Sequence, residues 1–341
     1  MKQMTKLLTV LMIVCTQLAY SQDIFHPADN NQDWKISPQE FEAYNIAWKN
    51  KTQLPEGEQK NILMDDVTRA GFIASYYEDY YYDETKEGSL RWIPVKGPIE
   101  NFLGMTFVYI FPGSFIMGSP PDELRRDSDE KQHEVILTKG FYIQTTEVTQ
   151  GQWNALMRTN PSNYKNCGED CPVEQVSWND IQQFIEILNI KETTSIEYRL
   201  PTESEWEYSA RAGTTTALVN GDITEPNCGF DANLNETGWY CGNSNNTTHP
   251  IAQKVPNLWG LFDMQGNVWE WCQDSYGSYP DGVVIDPVGP DTGSYRIFRG
   301  GSAVSGNAGY NRSASRNYIK PSVRYSNVGF RLAFWPVEQA R

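Results

Sequence analysis

Short apolar runs bounded by turn and polar residues span Met105–Gly113 and Ser114–Ser119, which predicts two strands. Pro112-Gly113 between them predicts a hairpin turn. The spacing then becomes helical. Thr149–Met157 opens on a Thr cap, and Ser177–Asn189 opens on a Ser cap with an acid in its first turn. A third helix is predicted over Thr202–Gly213, where Thr202 and Glu205 form a capping box and Gly213 supplies the stop. Beyond it lie short strand patterns and Gly/Asn turns with no long helix. That succession describes an irregular α+β domain held by loops, disulfides or metals.

The N-terminal pattern is different. Lys2 and Lys6 precede an apolar run from Leu7 to Val14 and a small-residue exit at Ala19-Tyr20-Ser21, the arrangement of a secretory signal peptide. A cleaved segment at 1–21 predicts a secreted or periplasmic protein. No later run is long and apolar enough to span a bilayer. A composition break near Pro94–Pro98 divides the remainder into a polar, Tyr-rich segment (22–96), a Gly- and Trp-punctuated domain (97–335) and a tail (336–341).

Twenty-eight basic against 43 acidic residues give the 341-residue chain a formal charge of −15, which argues against nucleic acid as a partner. A hydrophobic share of 39% and an aromatic share of 13% exclude a disordered chain. An oxidising compartment lets cysteines pair, and Cys167, Cys171, Cys228, Cys241 and Cys272 follow the signal segment. Their odd number leaves at least one free or paired outside the chain. Cys167 and Cys171 bound a tight loop, and Cys228 and Cys241 flank a Gly/Asn-rich stretch. Both are candidate disulfides, although spacing does not fix connectivity. Zinc is not expected, because His26, His133 and His249 are scattered far from any CxxC.

Within the N-terminal segment, Asp29, Asn31, Asp33, Ser37 and Glu40 stand at the oxygen positions of an EF-hand loop, and the Lys35 carbonyl fills the backbone position. Trp34 occupies the place usually given to Gly, where a positive φ is needed. Phe41, Tyr44 and Trp48 then recur at helical spacing. The segment resembles half of a dockerin or EF-hand module, which implies calcium and a docking partner. The run Ser75–Glu84 reads as an edge strand with a solvated acidic face rather than as a sugar-stacking surface.

The larger domain carries an ordered series of motifs. These are Gly118, Thr146-Glu147-Val148-Thr149, Pro172–Trp178, Tyr198–Tyr208, Gly260–Trp271, Arg299-Gly300-Gly301-Ser302 and Asn327–Arg331. Together they resemble the formylglycine-generating enzyme (sulfatase-modifying factor) family over residues 97–335. The resemblance implies that family's fold, a variant of the C-type lectin fold with little regular secondary structure.

Enzymes of that family bind copper through two cysteines and use O₂ to convert a sulfatase cysteine to formylglycine. The resemblance places those thiols at Ser305 and Tyr310, and neither is Cys. Copper is therefore not expected, because Cu(I) takes soft thiolates and a neutral hydroxyl is neither soft nor ionised. Ser302, Trp269, Arg316 and Asn327 remain at the family's pocket positions. Iron-dependent branches require a histidine triad, which three scattered histidines cannot build.

Calcium suits the remaining donors. Asp263 and Glu270 flank a Gly-Asn turn that can add the carbonyls of Gly266 and Val268, and the resemblance matches all four to a family calcium site. A second family site maps onto Asn233, the Leu234 carbonyl and Asn243. The expected protein is exported, calcium-stabilised and non-catalytic, binding a peptide, protein or glycan in the family groove. The alternative is an oxidoreductase of the sulfatase-modifying type with a different ligand set.

Overall fold

The structure is a computed structural model that describes residues 98–336, all within Lys96–Arg341, the second of two units into which the chain divides. The signal segment, the Asp29–Glu40 loop and the tyrosine run lie outside the described residues. The described part is α+β. Strands β1 (Ile99–Glu100), β2 (Thr106–Ile110), β5 (Phe141–Gln144) and β11 (Ala333–Phe334) form an antiparallel sheet in the order β1-β2-β5-β11. A second sheet runs β10-β6-β8-β9, from β6 (Trp269–Ser275), β8 (Arg296–Arg299), β9 (Arg316–Ile319) and β10 (Val328–Gly329). The third joins β3 (Gly113–Met117), β4 (His133–Leu137) and β7 (Val283–Ile285). No helix among the described residues is long and apolar enough to cross a membrane.

Successive strand residues face opposite ways, and here both faces are buried. Tyr142 of β5 enters one hydrophobic core, while Phe141 and Ile143 enter another. Phe298 and Ile297 of β8, and Phe334 and Ala333 of β11, divide in the same way. The apolar runs in these strands are therefore continuous, as strands covered on both sides require. Helices α1 (Gln150–Met157) and α2 (Trp178–Lys191) supply Trp153, Leu156, Phe184 and Leu188 to the first core. Helix α3 (Glu203–Arg211) supplies Trp206 and Ala210 to the second.

All three predicted helices form, each on a capping box: Thr149 with Gln152, Ser177 with Asp180, and Thr202 with Glu205. At the end of α3, Ala212 (φ 43°) enters the left-handed region before Gly213 (φ 89°). A short helix α4 (Ala232–Thr237) follows. The expected hairpin does not form. β2 pairs with β5, and β3 pairs with β4 in another sheet. Two-residue hairpin turns need positive φ at their centre, whereas Pro fixes φ near about −65° and Gly113 is not among the positive-φ glycines. Pro112-Gly113 instead passes the chain from one sheet to the next. Both candidate disulfides, Cys167–Cys171 and Cys228–Cys241, are formed, and Cys272 is free and buried.

With so much of the chain in loops, main-chain carbonyls inside the domain need donors from elsewhere. Buried arginines supply them. Arg299 pairs with Glu203 and Glu207 and also donates to the carbonyls of Ser313 (2.9 Å) and Ala314 (3.0 Å). Arg211 joins Glu207 to the carbonyls of Gly118 and Thr216. Arg316 joins Glu203 to those of Asp129 and Gly277. Arg312 joins Glu130 and Glu123 to those of Gly309 and Arg125. Arg331 joins Glu270 to those of Gln144 and Phe262. One face of α3 supplies Glu203 and Glu207, four residues apart as a helix requires.

Removing one partner of a buried pair leaves an uncompensated charge, which costs about 3–5 kcal/mol. Arg299→Met should therefore lower unfolding stability by about that amount, whereas Arg324→Ala, which breaks the exposed pair with Asp180, should cost under about 1 kcal/mol. Similar small losses in urea titrations would refute the assignment of Arg299 as a cross-link. A pH effect comes from Glu174, whose Oε1 accepts from the Tyr164 N–H while Oε2 is buried without a partner. Burial pushes its pKa up to about 7. The folded state then holds more protons than the unfolded state between about pH 4.5 and 7, so this group's contribution falls as pH rises. Relative to Glu174→Gln, the wild type should lose stability from pH 5 to pH 8. Parallel pH–stability curves for the two proteins would contradict this.

Candidate functional site

The candidate site forms where the turn before β6 meets the loop after β8. Gly266 (φ 101°) and Asn267 (φ 55°) take consecutive left-handed conformations. A Cβ on Gly266 would collide with the Trp239 carbonyl, so glycine is required there. The Asn267 amide holds the His249 backbone in both directions, accepting from its N–H at 3.0 Å and donating to its carbonyl at 3.1 Å. The Asn267 carbonyl then accepts from Ala303 N, and Gly266 N donates to Gly300 O. Positive φ at Gly300 and Gly301 lets the loop turn back toward β6. Ser302 and Ser305 are thereby set against Trp269.

The polar contacts form a chain. Trp269 Nε1 donates to Ser305 Oγ at 3.2 Å, the two serine oxygens are 2.6 Å apart, and Asn327 Nδ2 donates to Ser302 Oγ at 3.2 Å. Ser302 is fully buried and Ser305 is 8% exposed. A hydroxyl has one proton and two lone pairs. A buried proton on Ser302 needs an acceptor, so Ser302 donates to Ser305, whose lone pairs are then filled by Ser302 and Trp269. The Ser305 proton is then left over, on a side chain that is nearly buried. Donating that proton, Ser305 can hold an oxygen of a ligand, and among the described residues no basic side chain contacts it.

Tyr310 lies on the 3-10 turn Ala308–Asn311, its ring 5.8 Å from Trp269 and 37% exposed. It forms an aromatic wall beside Ser305. Cys228 Sγ is 4.0 Å from the Ser305 carbonyl, so the Cys228–Cys241 disulfide borders the same place. The structure thus gathers Ser302, Ser305, Trp269, Tyr310 and Asn327. It does not bring Arg316 to them: that guanidinium pairs with Glu203 and lies over the Tyr279 ring at 3.9 Å.

The turn read as a calcium site is a charged part of the interior. Glu270 is bidentate to Arg331 (2.6 and 2.7 Å) and also accepts from Trp206 Nε1 at 2.8 Å. Asp263 accepts from Ala252 N through Oδ2 at 2.7 Å, while its Oδ1 is buried without a partner. Both carboxylate oxygens of Glu147 are likewise buried and unpartnered. Burial and then the Asp263 and Glu270 charges push Glu147 well above the carboxylate range, and burial pushes Asp263 up to about 6. Three carboxylates thus share one guanidinium. The calcium implied by the resemblance fits through Asp263, whose free Oδ1 is a hard oxygen donor on the same turn as the Gly266 and Val268 carbonyls. Glu270 supports the turn through Arg331. Among the described residues, no three His, Cys, Asp or Glu side chains converge on one point.

The second predicted set does not fit a cation. The Asn243 Oδ1 accepts from Tyr240 N, and its amide donates to Asn235 Oδ1 and Gly238 O. The Leu234 carbonyl accepts from Gly238 N, and Asn233 donates to the Asp222 carbonyl. The set contains no carboxylate, and the ammonium of Lys254 sits beside it on Asn235 O at 2.6 Å. Asp29, Asn31, Asp33, Lys35 and Glu40 lie outside the described residues. His133 packs on Tyr279, and His249 stacks on Trp239 at 3.7 Å.

Sequence reasoning passed over Glu147 and Arg331 as members of the charged interior. Both stand inside motifs already noted.

Residues 97–335 match the model of the sulfatase-modifying factor enzyme 1-like domain. A formylglycine-generating enzyme from Streptomyces coelicolor is 35% identical over 171 residues, covering 48% of this chain and 52% of that protein. The chain thus spans about half the length of that enzyme. The chaperone protein LppX from Paenibacillus barcinonensis is 32% identical over 211 residues, covering 50% of this chain and 71% of that protein. Among solved structures, Treponema denticola variable protein 1 superposes with a TM-score of 0.62 at 32% identity, covering 71% of this chain and 100% of that one. PvdO from Pseudomonas aeruginosa gives 0.61 at 27%, with the same coverage.

Proposed function

The chain belongs to the sulfatase-modifying factor enzyme 1-like family, and from that membership we propose that it is an exported, calcium-stabilised member that binds a ligand in the groove at Ser305 without performing the family oxidation. The observation that carries this reading is the pair of hydroxyls at Ser302 and Ser305, 2.6 Å apart, with Trp269 Nε1 donating to Ser305. Copper requires thiolates, and the two positions concerned hold a hydroxyl whose lone pairs are engaged and an aromatic ring against Trp269. What survives is a donor beside an aromatic wall, a binding arrangement. The likeness to a protein named a chaperone supports a role in handling another protein.

Calcium would be held by Asp263 with the Gly266 and Val268 carbonyls. It would offset the negative charge that Glu147, Asp263 and Glu270 leave around Arg331. The Asp29–Glu40 loop is a further calcium element on its oxygen spacing alone, and a docking partner for segment 22–96 follows from the same resemblance. Export, to the periplasm or beyond it, rests on the pattern of residues 1–21.

Incubating the full chain with a Cys-x-Pro-x-Arg peptide, copper and O₂ should leave the peptide unchanged by mass spectrometry. Conversion by the wild type would overturn the non-catalytic reading. Conversion only by Ser305→Cys/Tyr310→Cys would establish a silenced oxidation site. For calcium, EDTA should lower the melting temperature of the wild type by several degrees, since a ligand at a hundredfold excess over Kd contributes about 2.7 kcal/mol. Asp263→Asn should show a smaller EDTA effect, and an unmoved wild-type transition would remove the metal.

A further inference from the structure

Three loops meet beside Ser305. Pro226-Asn227-Cys228 runs along the 3-10 turn, with Gly309 N donating to Pro226 O at 3.0 Å and Ala308 N to Asn227 O at 3.3 Å. The Cys228 sulfur touches the Ser305 carbonyl. The segment between β3 and β4 completes the rim through Arg125, which donates from NH2 to Asn227 Oδ1 at 2.7 Å.

Arg125 is held in place by its surroundings. Its backbone is left-handed (φ 66°), a cost for any residue with a Cβ. Its carbonyl accepts from Arg312, which Glu123 and Glu130 hold in turn. Its Cβ and Cγ fill space left by Gly309, where an added Cβ would lie 2.7 Å from the Arg125 Cβ. The buried arginines are each neutralised by a carboxylate, whereas Arg125 is exposed, makes one hydrogen bond and has no carboxylate partner among the described residues. Glu225 on the neighbouring loop is turned onto its own backbone, accepting from Asn227 N at 2.8 Å. Phe230, Leu124 and Tyr310, at 71%, 45% and 37% exposed, supply apolar surface on the same three loops.

We infer that Arg125 makes this groove selective for peptides carrying an acidic side chain. The inference rests on the reading of Ser305 as a donor to a bound ligand. Ser305 holds a peptide carbonyl, the apolar rim packs the neighbouring side chains, and Arg125 takes a carboxylate through its free guanidinium edge. The overall charge of −15 repels acidic peptides at a distance, so the selectivity is local to this one cation.

The test exposes the immobilised full chain to a terminally blocked random hexapeptide pool and reads the retained peptides by mass spectrometry. Gly306→Trp is the blocked control, since a Cβ at Gly306 meets nothing within 4 Å and a large side chain there fills open space beside Ser305. Relative to the input pool, Asp and Glu should be enriched about two- to fivefold, the discrimination an exposed ion pair supplies. Arg125→Gln should abolish the enrichment, and Arg125→Lys should keep it in part. Peptides retained above the blocked control without acidic enrichment, or with enrichment unchanged in Arg125→Gln, would overturn this inference and leave the groove reading standing. No retention above the blocked control would overturn the groove reading and the inference with it.

Discussion

A guanidinium buried beside a carboxylate is costly to desolvate, and the contacts it makes must compensate. In this domain the compensation is double. Each of the five buried arginines satisfies a carboxylate and two main-chain carbonyls, so a single side chain neutralises a charge and pairs loop backbone that no ladder could reach. Guanidinium suits this work better than ammonium, because its planar fork presents fixed donors in several directions and keeps its charge when buried. Short strands and few helices suffice because arginines perform the bonding that longer ladders perform elsewhere.

The surface around Ser305 depends on the same device. Arg331 steadies the turn that leads into Trp269 by holding Glu270 and the Phe262 carbonyl. Arg299 fixes Ser313 and Ala314 just past the 3-10 turn that bears Tyr310. Arg312 secures that turn and the Arg125 loop together. The surface at Ser305 is made of loops, yet each loop is tied to charged groups in the interior. That explains how a surface built of loops holds Ser302, Ser305 and Trp269 in one fixed arrangement.

What the sequence made legible was local. Capping contacts act over three residues, and the three helices were found through their Thr and Ser caps and helical spacing, one of them with its full capping box. The Cys167–Cys171 and Cys228–Cys241 loops were equally visible as short enclosures. Strand pairing is not local, so β2 and β3 were joined as a hairpin although their partners lie further along the chain. Trp269, Ser302 and Asn327 were legible inside the family motifs, and Ser305 and Tyr310 through their distance from Arg299-Gly300-Gly301-Ser302. Arg316 belongs to the same stretch, but its charge is drawn away by Glu203 from a distant helix, and no motif shows that. The direction of the serine protons needed burial and distances, which sequence does not carry.

The spacing of these contacts along the chain sets an order of events. Arg312 reaches Glu130 across 182 positions, and Arg331 reaches the Gln144 carbonyl across 187. Contacts so far apart must overcome a large loop-closure entropy before they contribute, and chains dominated by them fold slowly. The helices can flicker into being early. Glu130, by contrast, meets the Arg312 guanidinium only after the chain between them has closed, while Glu205 and Glu207 have Arg199 and Arg211 close by in sequence. The helix that carries Glu205 and Glu207 can thus be neutralised early and locally, whereas closure of the domain waits on its long-range arginines.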